Sequence, residues 1–412
     1  MGNYIITLLS LLLIISCSYN NVYSISNRES GEQIQGIKGR YDSGASTVNI
    51  VFIHGMGFHP LEEELADNGS TTNYQNRIAK ELGFTPTDEE YGRVKFNSQN
   101  PYKKIDLHLS NGKILGGHVI WRKFKSSDGR RLNLFALSWD EITVKIQKSL
   151  LELDGEFYEK SQGENREENR AYLNRELKRF INRSFSDPAI YLGSFGDEIR
   201  FLVATGVKAI NSAINENEGS TLEENNQIIH ISDSLGSSIV FDTVVKSFDP
   251  FSENKELSVF KNELATFAGR SSLIFMNANQ LPLIELGNIK PPLENDTEDE
   301  WLSRYPCNNL NFSSIHGFTN KGRDYKELNS NFYKMSMSYQ LVAFSDPNDA
   351  LSYHLTNRFI SKCGGDDLKI FNVSLTNAKW NYFFILAHPG KAHSSGFKVN
   401  DTAIDILING VN

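Results

Sequence analysis

The chain is short of the features that would place it in several large functional classes. Basic residues do not dominate, with 42 Lys and Arg against 50 Asp and Glu, a formal net charge of -8. Phosphate backbones are bound through a basic footprint, so nucleic acid is set aside as a partner. The Lys and Arg are scattered or paired with acids, and no stretch interleaves bases with aromatics. Cysteine is scarce, with three in 412 residues, and no Cys/His spacing resembles a zinc site. His-Glu-x-x-His is missing too, so no metal is expected. Long apolar runs are also missing. The run Ile5 to Ile15, interrupted by Thr7 and Ser10, is too short to span a bilayer comfortably.

That run has the right length for a signal-peptide core, although no Lys or Arg precedes it. Ile14-Ile15-Ser16-Cys17 follows directly and resembles the bacterial lipobox. The resemblance implies that residues 1–16 are a signal peptide and that Cys17 is lipidated and becomes the new N-terminus. Acyl chains contribute about 0.8 kcal/mol per buried CH₂, so several of them anchor a chain permanently. The expected location is that of an exported, membrane-anchored bacterial lipoprotein; the alternative is a plain secretory signal and a secreted protein. Met1-Gly2 is not read as a myristoylation site, because Ile6 stands where that motif has Ser or Thr. Cys307 and Cys363 then remain, as a candidate disulfide closing a long loop or as two separate buried thiols.

What the chain does have is a composition, 39% hydrophobic and 11% aromatic, that builds a large soluble core. Residues 17–47, rich in Ser, Asn and Gly, read as a tether without an apolar period. Folding is expected to begin at Val48, where Val48 to Ile53 suits a central parallel strand. A helix follows around Tyr74 to Leu82. Turn signals at Ser110-Asn-Gly112 and Ser126-Ser-Asp-Gly129 predict two hairpins, the last strand (Leu132 to Trp139) returning to the main sheet. Between about residues 140 and 220 the pattern is helical and charged. Leu173, Leu177, Phe180 and Ile181 mark one amphipathic face, and another helix runs from Ile199 to Ile214. This insertion is either a cap over a site or extra helices on the sheet edge. Further strands are expected at Ile228 to Ile231, Ser271 to Met276, Tyr339 to Phe344 and Leu368 to Leu375, with a final helix at Ala403 to Ile408. Residues 288–333 read as a polar, irregular elaboration. Alternating strands and helices predict an α/β fold, a mostly parallel central sheet with helices on both faces.

The chemistry lies at the strand ends. Ser232-Asp233-Ser234-Leu235-Gly236 sits between an apolar strand and a helix, where a sharp turn thrusts a serine out of the sheet. His54-Gly55-Met56-Gly57 ends the first strand, and its glycines let the Met56 N–H face the cleft. With the Leu235 N–H it would form an oxyanion hole, each donor worth about 3–4 kcal/mol. His54 reads as structural, on the wrong side of its turn. A serine needs a histidine base, and the histidine a carboxylate. Asp349, after the Tyr339 to Phe344 strand, is preferred over Asp346, which precedes Pro and reads as a turn former. His393, near the final helix, is preferred over His388, which precedes Pro.

The order Ser234, Asp349, His393, with an oxyanion loop far upstream, resembles the α/β-hydrolase superfamily over roughly residues 48–410. The resemblance implies a serine hydrolase of the esterase or lipase type with no metal or organic cofactor, acting on an ester substrate that could be a lipid. Two departures stand out. Ser232 replaces the usual first Gly, and Asp233 occupies a position where many relatives carry His, so an acidic neighbour could raise the histidine's pKa or deter anionic substrates. The competing expectation is a surface lipoprotein that keeps the fold for binding only.

Overall fold

The protein is described from a computed structural model, which covers residues 23–26, 31–57, 70–87, 102–108, 114–151, 180–218, 226–249, 256–285, 291–297, 314–328, 338–355, 368–376 and 392–412, with short pieces between them. The strands of its main sheet are β1 (Tyr23–Ser26), β2 (Thr47–Ile53), β3 (Phe84–Pro86), β4 (Tyr102–His108), β5 (Ile114–Ser126), β6 (Arg131–Ser138), β7 (Ile228–Asp233), β8 (Leu273–Asn277), β9 (Tyr339–Ser345) and β10 (Leu368–Leu375). Together they form one 10-stranded sheet in the order β1-β10-β9-β8-β7-β2-β6-β5-β3, with β4 also pairing β5. The six strands from β10 to β6 are mutually parallel. Both flanks are antiparallel, β1 on β10 at one edge and the β4-β5-β6 meander with β3 at the other. The sheet is therefore mixed, and the mostly parallel expectation describes its centre only.

The principal helices are α1 (Ile37–Asp42), α2 (Ser70–Glu81), α3 (Asp140–Leu151), α4 (Ser186–Leu192), α5 (Gly196–Glu218), α6 (Leu235–Ser247), α7 (Lys261–Arg270), α8 (Leu281–Glu285), α9 (Ser314–Leu328) and α10 (Asp401–Asn409). Side chains of a strand alternate between faces, and the central strands are buried on both. Accordingly Val51 and Ile53 of β2 join the core beneath α5, α6, α7 and α9. Their neighbours Ile50 and Phe52 join the core beneath α1, α2 and α10. That two-sided burial explains why these strands are near-continuous apolar runs in the sequence.

Three expectations need correction. Residues 17–47 are not a tether throughout. β1 pairs with β10 from Tyr23, and Ile34, Ile37 and Tyr41 are buried in the core, with Ile34 bridged to Val411. The region 288–333 contains α9, whose Ile315 and Phe318 are buried. Within the insertion, α5 is the crossover between β6 and β7, not an edge ornament: Leu202, Val203, Val207, Ile210 and Ile214 are all fully buried. The Ser126 turn forms as expected, with Gly129 at φ 88° closing the hairpin through its N–H to Ser126 O. Among the described residues no helix is long and apolar enough to cross a membrane. Cys17, Cys307, Cys363 and His388 lie outside the described residues.

Candidate active site

β7 ends at Asp233 and α6 begins at Leu235, so Ser234 carries the whole reversal of direction. Its backbone adopts φ 51°, ψ -122°, a conformation that costs a non-glycine residue about 1–3 kcal/mol. Two close approaches hold it there. A Cβ on Gly236 would lie 2.5 Å from His54 O, and one on Gly55 would lie 2.7 Å from both Asp233 O and Ser234 Cβ. Glycine at these two positions lets the β2 loop lie directly against the turn. The Ser234 N–H also donates to Asn277 O at 2.7 Å, fastening the turn to the end of β8. Ser232, where a glycine was expected, fits by sharing a 2.7 Å hydrogen bond with Ser237 Oγ inside α6.

Ser234, Asp349 and His393 meet. Ser234 Oγ is 2.8 Å from His393 Nε2, and His393 Nδ1 is 2.7 Å from Asp349 Oδ2. A carboxylate only accepts, so the Nδ1 proton points at Asp349 and Nε2 is left to accept from the serine hydroxyl. All three residues are buried, Ser234 completely. Asp349 is held by a turn in which its N–H donates to Asp346 O and its Oδ1 accepts from Leu351 N–H. Asp346 is the turn former expected of it, its Oδ1 accepting from Asn348 N–H at 2.8 Å.

Met56 and Leu235, the two expected oxyanion donors, both lie beside the Ser234 turn. Met56 follows Gly55, which touches Ser234, and Leu235 is the first residue of α6. First-turn N–H groups have no intrahelical acceptor and carry the positive end of the helix dipole. His54 is structural. The Trp139 N–H donates to its Nε2 at 3.1 Å, its Nδ1 meets Gly55 O at 2.8 Å, and its ring stacks on Trp139.

No protein-family model matches this chain, and no curated protein matches it.

Several contributing residues carry no sequence signal. Gln280, just past β8, places Nε2 3.5 Å from His393 Nε2 and 3.8 Å from Met56 Sδ. Asn279 ties the β8 and β9 loops together, exchanging hydrogen bonds with Tyr353. Asp187, fully buried at the start of α4, accepts from Gly57 N–H at 2.7 Å and from Gln147 Nε2 at 2.6 Å. The insertion thus braces the His54–Gly57 loop. It is also tied to the serine helix, because Tyr191 Oη–H donates to Asp242 Oδ2 at 2.7 Å. Burial raises the Asp242 carboxyl above its usual value, against the opposing effects of Tyr191 and Arg200.

Asp233 does not confront the site as a bare charge. Its Oδ2 lies 2.8 Å from Lys398 Nζ and its Oδ1 accepts from Asn277 Nδ2 at 2.8 Å, with both ion-pair members nearly buried. Behind the pair is a cavity of about 30 Å³, lined among others by Gln75, His118, Asp233 and Lys398, with room for one or two waters. Burial pushes the His118 pKa down, against the attraction of Glu141. Breaking a buried ion pair from one side leaves the other charge uncompensated. Lys398→Met is therefore expected to cost roughly 3 kcal/mol in urea unfolding, and adding Asp233→Asn to restore most of it. An equal loss in the double variant would mean that the pair contributes through packing alone.

Among the described residues no group of His, Cys, Asp and Glu is arranged to hold a metal ion.

Proposed function

We propose that this protein is a serine hydrolase of the α/β-hydrolase type that cleaves carboxylic esters through an acyl-enzyme. The observation that carries the proposal is the hydrogen-bonded line Ser234 Oγ, His393 Nε2, His393 Nδ1, Asp349 Oδ2, with both links under 3 Å. Supporting the fold assignment, the serine follows β7, the carboxylate β9, the histidine β10 and the oxyanion loop β2, all at the same edge of the sheet.

In this reading His393 Nε2 takes the Ser234 hydroxyl proton as Oγ bonds to the acyl carbon. The carbonyl oxygen becomes an oxyanion facing the Met56 and Leu235 N–H groups. Asp349 stabilises the imidazolium and fixes its orientation. When the C–O bond breaks, His393 returns the proton to the departing alkoxide, and an alcohol leaves acyl-Ser234. Water then repeats the sequence with His393 as base and releases the acid. No cofactor enters these steps. The Ser234 backbone is strained in the resting protein, so the nucleophile is positioned before substrate arrives.

We further propose that the chain is exported and anchored at a bacterial membrane through a lipidated Cys17, with residues 1–16 as its signal peptide. The Ile5 to Ile15 run and the lipobox-like Ile14 to Cys17 support this.

A fluorophosphonate probe tests the hydrolase assignment. The folded protein should label stoichiometrically, and Ser234→Ala should not label at all. Absence of labelling in the folded wild-type chain would sink the enzyme reading and leave a fold retained for binding.

A further inference from the structure

The catalytic edge of the sheet also carries an unusual concentration of uncovered apolar side chains. Leu177, Ile181, Phe185, Leu192 and Phe195 are exposed by 56%, 40%, 43%, 47% and 42%. Scattered apolar residues on a surface are ordinary, but five within one short segment form a patch that asks for a partner. The segment is fixed beside the site, because Asp187 within it accepts from Gly57 N–H of the oxyanion loop at 2.7 Å.

The path of the chain supplies the partner. β1 runs antiparallel to β10, and its first residue Tyr23 pairs with Leu375, the last residue of β10. The chain therefore enters the fold at the C-terminal ends of the parallel strands, the edge that carries Ser234, Asp349 and His393. Cys17 precedes Tyr23 closely enough that the intervening backbone, fully extended, spans about 20 Å at most. A folded body of this length measures about 50 Å across, to judge from its expected radius of gyration. A tether that short holds the edge where it attaches toward the anchor and keeps the opposite edge away.

We propose that the catalytic edge docks on a lipid bilayer through the apolar patch at 177–195, so that the Ser234 site opens toward the membrane and draws its ester from lipid. The proposal rests on the hydrolase and lipid-anchor readings above. It goes further by fixing which face meets the membrane and which substrate class that face meets. The opposite edge is marked by Leu328, 84% exposed at the end of α9, where Lys326 Nζ lies 4.4 Å from the ring of Tyr339 at the start of β9.

The test uses the full chain reconstituted in phosphatidylethanolamine and phosphatidylglycerol vesicles whose acyl chains are brominated at mid-length. Phe185→Trp should add emission that brominated lipid quenches at least twofold relative to unbrominated vesicles. Leu328→Trp should add emission that bromination leaves unchanged. Equal quenching at the two positions, or none at Phe185→Trp, overturns the docking. Quenching confined to Phe185→Trp in a protein that takes no fluorophosphonate would support the docking while removing the hydrolase reading. Labelling without quenching would do the reverse.

Discussion

Replacing His393 with alanine is expected to lower ester turnover by about four orders of magnitude or more, while His388→Ala retains most of the activity. The reason is geometric: His393 Nε2, the proposed base, lies 2.8 Å from Ser234 Oγ. Without it the serine hydroxyl keeps its proton and its weak nucleophilicity, and what remains comes from binding and the two backbone donors. Asp349→Asn should fall nearly as far. An amide NH₂ turned toward His393 Nδ1 would force the ring proton onto Nε2, where the serine needs an acceptor. Steady-state hydrolysis of a soluble short-chain ester, with denaturant unfolding as a check on folding, separates lost chemistry from lost structure. If His388→Ala inactivates and His393→Ala does not, the assignment of the base is reversed.

The parts of this arrangement that were legible in the sequence are those whose chemistry is local. A serine between an apolar strand and a helix, a glycine pair after a strand, and a carboxylate and a histidine after later strands each leave a short pattern. Gln280, Asn279, Asp187 and Lys398 leave none, because each is a single polar residue whose partner is distant in the chain. The spacing between Asp187 and Gly57 shows the difficulty: their hydrogen bond spans 130 positions. The start of the fold is hard to read from the sequence for a different reason. Ile34, Ile37 and Tyr41 are isolated apolar residues among polar ones, and only the walls that α2, α10 and the sheet build around them reveal that they are core. α9 was hidden in the same way. Its Gly322 approaches Ala268 so closely that a Cβ would lie 2.7 Å from the Ala268 carbonyl, and small residues used for close packing look like loop residues in a sequence. The missing glycine at Ser232 proved tolerable because a serine hydroxyl there finds Ser237.

Acid should unfold this protein partly through one histidine that takes no part in the proposed catalysis. His230 lies in β7, four residues before the serine, fully buried with ring centroids of Phe241, Phe267 and Phe318 at 6.0, 5.8 and 6.3 Å. Neither ring nitrogen has a hydrogen-bond partner among the described residues, and burial pushes its pKa down to about 3. The unfolded chain binds this proton with a pKa near 6.5, whereas the folded protein refuses it until about pH 3. Stability from this group is thus complete above pH 6.5 and is lost as pH falls, at roughly a factor of ten in the folding equilibrium per unit. The loss approaches ~4 kcal/mol near pH 3.5 and stops growing once both states are protonated. His230→Leu removes the proton and two unsatisfied nitrogens together, so it should be at least as stable as wild type at pH 7 and should lose less on acidification. Urea unfolding at pH 7, 5.5 and 4.5 measures the difference. Parallel losses in the two proteins would mean that groups other than His230 account for the acid sensitivity. A widening gap below pH 6.5 would instead place the acid limit in the aromatic cage beneath the serine.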